Sequence, residues 1–98
     1  MNNIKRKHKN KYWFINNDVF ELHLYIFDND KIILKFIQDE SDSRNYIYVS
    51  ELLNVEYNEI IADSVEEAME QLEDIVIEHI QNKIFYYEEM LQNFNDEG

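Results

Sequence analysis

The stretch SVEEAMEQLEDIVIEHIQNKIFYYEEMLQNF, residues 64–94, decides the fold class, because it predicts one long helix after a strand-rich half. Ser64 and Glu67 have the spacing of a capping box, in which Ser64 caps the helix and the Glu67 side chain bonds back to the N–H of Ser64. No proline or glycine interrupts the stretch. Its apolar residues recur every three or four positions, which is a helical stripe. They are Val65, Met69, Leu72, Val76, Ile80, Ile84, Tyr87, Leu91 and Phe94.

The length of this helix raises a packing problem. At 1.5 Å per residue, thirty residues span about 45 Å, whereas a six-residue strand is about 20 Å long. We therefore expect the helix either to bend or break near residues 81–83, or to pack its second half on another molecule, as in a homodimer. A break would let two helices fold back on one sheet. The expected dimer or partner face is Phe85, Tyr86, Tyr87 and Phe94.

The residues before the helix predict an antiparallel sheet. Strands are expected at 11–16, 19–27, 31–38, 44–50 and 55–61, with Asn/Asp turns at 16–18 and 28–30, a polar loop at 39–43, and an ambiguous segment at 51–54. Strict alternation places Phe20, Leu22, Leu24 and Ile26 on one core face. The fold class is thus α+β: a sheet of four to five antiparallel strands followed by a long C-terminal amphipathic helix.

Charge divides the chain into two parts. Five of the nine basic residues lie in the first eleven positions, and from Tyr12 onward four basic residues face 21 acidic ones, a net charge of −17. We expect residues 1–10 to be a disordered basic arm and residues 11–98 to be a single domain. Solubility requires a net charge of only about 2–8 for a small domain, so the acidity indicates a further role, such as binding something positively charged.

Several function classes lack their residues. The single glycine, Gly98, rules out phosphate-cradling loops. His8, His23 and His79 do not have the spacing of metal ligands, and Ser64 is better explained as a helix cap than as a nucleophile. We therefore predict no catalytic residues, no metal, no cofactor and no enzyme. The absence of cysteine, of a signal peptide and of any membrane-spanning run favours the cytoplasm.

The helix carries acidic residues at a regular spacing. Glu66, Glu70, Asp74 and Glu78 follow each other at i, i+4, and like charges at this spacing destabilise a helix by about 0.2–0.5 kcal/mol per pair. One interpretation is a solvated face of an acidic protein. The other is a row that imitates nucleic-acid phosphates and occupies a basic groove. A secondary set with the same expected role is Asp39, Glu40 and Asp42.

In size, charge and organisation the chain resembles the small acidic inhibitors that phages and plasmids make, such as anti-CRISPR and anti-restriction proteins. The resemblance implies a bacterial host cell and a partner that is the basic surface of a nucleic-acid enzyme. Direct binding of nucleic acid is not expected, because the acidic body repels it, and neither is membrane binding. The alternative is an immunity-like, antitoxin-like or dimeric adaptor module that binds a protein through its aromatic C-terminal helix.

Overall fold

The structure is a computed structural model that describes residues 10–95 in full and residues 3–7 as backbone only. Its strands form one antiparallel sheet in chain order, and a single helix follows them. This arrangement confirms the predicted α+β class. The elements are β1 (Asn3–Lys7), β2 (Lys11–Asn16), β3 (Val19–Ile26), β4 (Asn29–Asp39), β5 (Asp42–Ser50), β6 (Val55–Ile61) and α1 (Val65–Asn95).

Two hairpins turn on residues with positive φ. Asn16 pairs with Val19, so Asn17, at φ 59°, and Asp18 form the first turn. Ile26 pairs with Asn29, so the second turn is Phe27 and Asp28, at φ 53° and 66°. Two positive φ values are typical of the turn whose twist matches a two-residue hairpin. The sequence predicted this turn at 28–30, because Phe27 continued the apolar pattern of the strand.

The N-terminal segment differs from its prediction. The sequence predicts a disordered arm over residues 1–10, and the structure has β1 at Asn3–Lys7, paired antiparallel with β2. This pairing covers the edge of β2, whose N–H and C=O groups would otherwise lack backbone partners. Residues 1, 2, 8 and 9 lie outside the described residues.

The strands bury an aromatic-rich core. Trp13, Leu34, Phe36 and Tyr46 are at most 1% exposed. Phe36 meets Trp13 and Tyr46 edge-on, with ring centroids 5.4 and 5.8 Å apart, and stacks on Phe20 at 4.7 Å. Such aromatic pairs add about 0.5–1.5 kcal/mol each beyond the area they bury.

The alternation of β3 holds only in part. Leu22 of the predicted core face is 2% exposed, whereas Ile26 is 42% exposed because it borders the turn at Phe27. Phe20 and Leu24 are half-buried. On the opposite face, Glu21 and His23 are also buried, at 8% and 7%. Both faces of β3 therefore contain buried side chains, and one face is charged because it contains Glu21.

The helix is one continuous element of 31 residues, so the expected break near residues 81–83 does not occur. At its start the Glu67 N–H donates to Ser64 Oγ over 3.1 Å, as the capping box predicts. Glu67 Oε2 accepts from the Asp63 N–H over 2.8 Å, one residue before the predicted N–H of Ser64. These bonds satisfy backbone donors that have no partner inside the helix. No helix in the described part of the chain is long and apolar enough to cross a membrane.

The chain divides between Ala68 and Met69 into two compact units. The first contains the strands and the first turn of α1, and the second contains the rest of α1. In the second unit Met69, Leu72 and Val76 are buried, at 0–4% exposure, whereas every side chain from 81 to 95 is exposed. Whether residues 11–98 form a single domain stays a prediction.

Candidate functional site

The helix holds the predicted acidic row in place. Glu66, at the end of the first unit, and Glu70, Asp74 and Glu78 in the second are all exposed. At 1.5 Å per residue, neighbours in the row are about 6 Å apart along the helix axis. Because the helix is unbroken, the i, i+4 spacing places these carboxylates along one side.

The described residues do not neutralise this row. Among residues 10–95 no hydrogen bond or ion pair engages the side chains of Glu66, Glu70, Asp74 or Glu78. The lysine of α1, Lys83, follows Glu78 by five positions, which places it on a different side of the helix. The row is therefore available to a cation outside the chain.

The secondary acidic set is partly engaged. Asp39 Oδ1 accepts from the Ser41 N–H over 2.9 Å and from the Ser41 hydroxyl over 2.8 Å, and Asp39 Oδ2 accepts from the Asn45 amide over 3.1 Å. These bonds, that from the Ser41 backbone above all, lower the pKa of Asp39. Asp42 Oδ1 accepts from the Arg44 N–H over 3.0 Å. Both carboxylates thus stabilise the β4–β5 turn.

A surface cavity brings two of these three acidic residues together. Asp39 and Glu40 line a cavity of about 810 Å³, to which Asp42 does not contribute. Asp18, from the first hairpin turn, lines it as well, beside apolar residues that include Phe20 and Ile37. A cavity with three carboxyl groups and apolar walls fits a long basic side chain, whose stem is apolar and whose tip is charged.

The aromatic end of α1 is fully accessible. Phe85, Tyr86 and Tyr87 are 71%, 60% and 59% exposed, and Phe94 is 80% exposed. Contiguous exposed apolar side chains of this kind mark protein interaction sites. The four predicted residues are therefore free for a partner, although they do not share one side of the helix. Phe85 and Tyr86 lie next to the line that joins Tyr87 and Phe94.

Sequence reasoning missed a charged network between β2, β3 and β4. His23 Nε2 lies 2.9 Å from Glu21 Oε1, and His23 Nδ1 lies 3.0 Å from Asp30 Oδ1. The Tyr12 hydroxyl donates to Asp30 Oδ2 over 2.7 Å, and its ring stacks on His23 with centroids 4.6 Å apart. Carboxylates only accept hydrogen bonds, so an imidazolium, which donates from both nitrogens, satisfies both contacts.

The network shifts the pKa values of Asp30 and Tyr12. The Tyr12 hydrogen bond lowers the pKa of Asp30 more than any other contact does, against a smaller raising effect of burial. Burial raises the pKa of Tyr12, and its bond to Asp30 adds to that rise. Each shift favours a neutral phenol that donates to an ionised carboxylate.

The alternation of β3 gave a signal for this network. Glu21 and His23 are polar residues two positions apart, on the face opposite the predicted core. Asp30 was assigned to a turn, and the turn lies earlier, at Phe27 and Asp28, which places Asp30 in β4 opposite Tyr25. The network was missed because the placement of Asp30 beside His23 depends on the position of that turn.

Within the described residues, no three His, Asp or Glu side chains are arranged to hold a metal ion. No protein-family model, no curated protein and no solved structure matches the chain.

Proposed function

We propose that the protein is a small acidic inhibitor, of the kind that phages or other mobile elements direct against a nucleic-acid enzyme in the bacterial cytoplasm. It acts as a mimic: its carboxylates take the place of phosphates in a basic groove. It binds no nucleic acid itself and catalyses no reaction. The observation that carries the proposal is the exposed row Glu66, Glu70, Asp74 and Glu78, for which the described residues provide no cation.

Electrostatics supports this function. A duplex presents regularly spaced charges that proteins meet mainly with Lys and Arg. The helix presents charges at a regular interval and holds them on a continuous backbone. A protein of net charge −12 is also steered towards a cationic groove, which raises the association rate at low salt.

The test is inhibition of DNA cleavage by two enzymes, a guide-loaded CRISPR nuclease and a restriction endonuclease. We expect the intact chain to inhibit at least one of them by competing with its DNA. The double reversal Glu70→Lys and Asp74→Lys should raise the inhibitory concentration about 100-fold, because each reversal replaces an attraction with a repulsion. Rising salt should weaken inhibition by the intact chain, since counterions screen exposed charges.

A matched control separates the row from net charge. Glu51→Lys with Glu56→Lys changes the net charge equally at two exposed sites of the first unit. We expect this control to weaken inhibition by less than about tenfold, through the loss of long-range steering alone. Equal losses of inhibition in the two double variants would show that total net charge, and not the row, causes inhibition. A chain that leaves both enzymes fully active would contradict the proposal.

A second function is favoured by the exposure of the aromatic helix end. An immunity-like, antitoxin-like or adaptor module would bind its protein partner through Phe85, Tyr86, Tyr87 and Phe94. In that case Phe85→Ala or Tyr87→Ala should abolish partner binding, because aromatic side chains dominate interface energies. The two Lys reversals in the acidic row should then have little effect. The pattern of losses across the two sets of variants distinguishes the functions.

A further inference from the structure

The exposed part of α1 contains a heptad repeat. From Ile77 onward six of the apolar residues follow each other in steps of three and four, and each of the six is at least 37% exposed. They occupy the a and d positions of a coiled coil, where two helices pack knobs into holes. These residues are Ile77, Ile80, Ile84, Tyr87, Leu91 and Phe94.

This seam differs from the buried face of the same helix. Met69, Leu72 and Val76 are buried within the chain. The step from Val76 to Ile77 is a single residue, so the seam begins on a different side of α1. Most of the stability of a helix in water comes from packing one apolar face, and the six side chains of this seam are left 37–80% exposed.

We propose that a second copy of the chain covers this seam, and that the two copies form a parallel, in-register two-stranded coiled coil over residues 77–94. The charges beside the seam support this occupant. In a parallel pair each g position faces the e position five residues later in the other helix. Lys83 occupies a g position and Glu88 an e position, so the symmetric pair places Lys83 beside Glu88 of the second copy, twice.

The remaining g and e positions place no like charges beside each other. Gln81 at e is uncharged, and Met90 at g faces Asn95 at e. An antiparallel pair with the same overlap would place Lys83 opposite Met90 and Glu88 opposite Gln81, which forms no ion pair. The charge pattern therefore selects the parallel orientation.

Acidic residues set the N-terminal limit of the coil. The preceding a and d positions are Glu70 and Glu73, which would place like charges face to face between the two helices. The coil therefore starts at Ile77 and runs for about two and a half heptads. Such a short coil predicts a weak, concentration-dependent dimer.

This inference goes beyond the inhibitor proposal and does not rest on it. The two respond to salt in opposite directions. Binding to a basic groove weakens as salt rises, whereas two chains of net charge −12 repel each other less when salt screens them. A failure of one proposal is therefore distinguishable from a failure of the other.

The first test is sedimentation equilibrium of the full chain over a range from micromolar to millimolar. We expect a monomer–dimer equilibrium that shifts towards dimer in added salt. Leu91→Ala, in the seam, should raise the dissociation constant at least about tenfold, because both copies lose buried methyl and methylene groups. Tyr57→Ala, at an equally exposed side chain of β6 outside the seam, should change it less than about threefold. A monomer at every concentration, or equal effects of the two substitutions, would overturn the proposal that a second copy packs on the seam.

Charge exchange tests the register. Lys83→Glu and Glu88→Lys should each raise the dissociation constant about three- to tenfold, because two attractions become repulsions. The double exchange should restore the value to that of the intact chain. Additive losses without restoration would overturn the parallel, in-register pairing.

A disulfide tests the orientation. The chain has no cysteine, so Ile80→Cys introduces one thiol per copy at a d position. In the parallel pair the two thiols face each other and should cross-link on mild oxidation. In the antiparallel pair residue 80 lies beside residue 91, which separates the thiols by about 16 Å along the axis, beyond the reach of a disulfide. A dimer that does not cross-link would overturn the parallel orientation.

Discussion

The acidic side chains of β3 and β4 differ from the acidic row of α1 in whether they have a partner within the chain. On β3 and β4, Glu21 and Asp30 both contact His23. On the helix Glu70 and Asp74 are exposed and have no ion pair in the described chain.

The difference separates two uses of charge. A buried charge requires a partner, since its desolvation costs several kcal/mol, and removal of the partner is strongly destabilising. An exposed charge needs none and adds little to stability. Glu21 and Asp30 therefore support the fold, whereas Glu70 and Asp74 remain available to act on another molecule. Three variants, two single and one triple, test that contrast.

The largest effect is expected from removing the histidine of the network. His23→Ala leaves the carboxylate of Glu21 buried without its partner, and should lower the free energy of unfolding by about 3 kcal/mol. Urea unfolding measures the change. His79→Ala is the matched control on the helix, where we expect a change within about 0.5 kcal/mol. A His23→Ala loss no greater than that of His79→Ala would remove the structural role assigned to the network.

The hydroxyl of Tyr12 should have an intermediate effect. Tyr12→Phe removes the 2.7 Å bond to Asp30 and should cost about 1.5 kcal/mol at neutral pH, as expected for a hydrogen bond to a charged group. Tyr86→Phe, at an exposed hydroxyl of α1, is the control and should cost almost nothing.

This cost should depend on pH. The folded-state pKa of Asp30 is lowered from its usual 3.8, so its stabilisation is fully present above that value and is lost as the pH falls below it. The difference between Tyr12→Phe and the intact protein should therefore shrink below about pH 4. Unfolding measured at pH 7 and at pH 3 checks this, and an unchanged difference would show that the bond does not act through the ionised carboxylate.

The smallest effect should be a gain in the free energy of unfolding instead of a loss. Replacing Glu70, Asp74 and Glu78 with Gln, Asn and Gln removes three like-charged i, i+4 pairs, including that of Glu70 with Glu66. It should stabilise the protein by about 0.5–1 kcal/mol at low salt. The gain should fade in high salt, and thermal unfolding at two salt concentrations measures it. A loss of stability would mean that the row takes part in the fold.

The sequence predicted the elements whose signals are local. The capping pair Ser64 and Glu67 marked the start of α1 correctly, and the alternating pattern located β3 within one residue. The strand at Val55–Ile61 was also predicted with the observed bounds. Each of these depends on residues a few positions apart, which a single sequence displays directly.

What escaped prediction depends on distant residues. The network of Tyr12, His23 and Asp30 joins three strands and forms only when the hairpin register is known. The basic composition of residues 1–10 indicated a disordered arm. The prediction was wrong because composition does not reveal the open edge of β2, with which β1 pairs. For the acidic row the sequence predicted the spacing, and the structure adds its exposure. Its function as a mimic stays a proposal.

The order of the strands has a consequence for how the chain folds. Each strand pairs with the one before it, so the sheet contains no crossover and its pairings join segments that are close in sequence. Short loops close at little entropic cost, and topologies rich in such pairings fold quickly. The sheet is thus suited to form hairpin by hairpin as the polypeptide leaves the ribosome, ahead of the helix that follows it in the sequence.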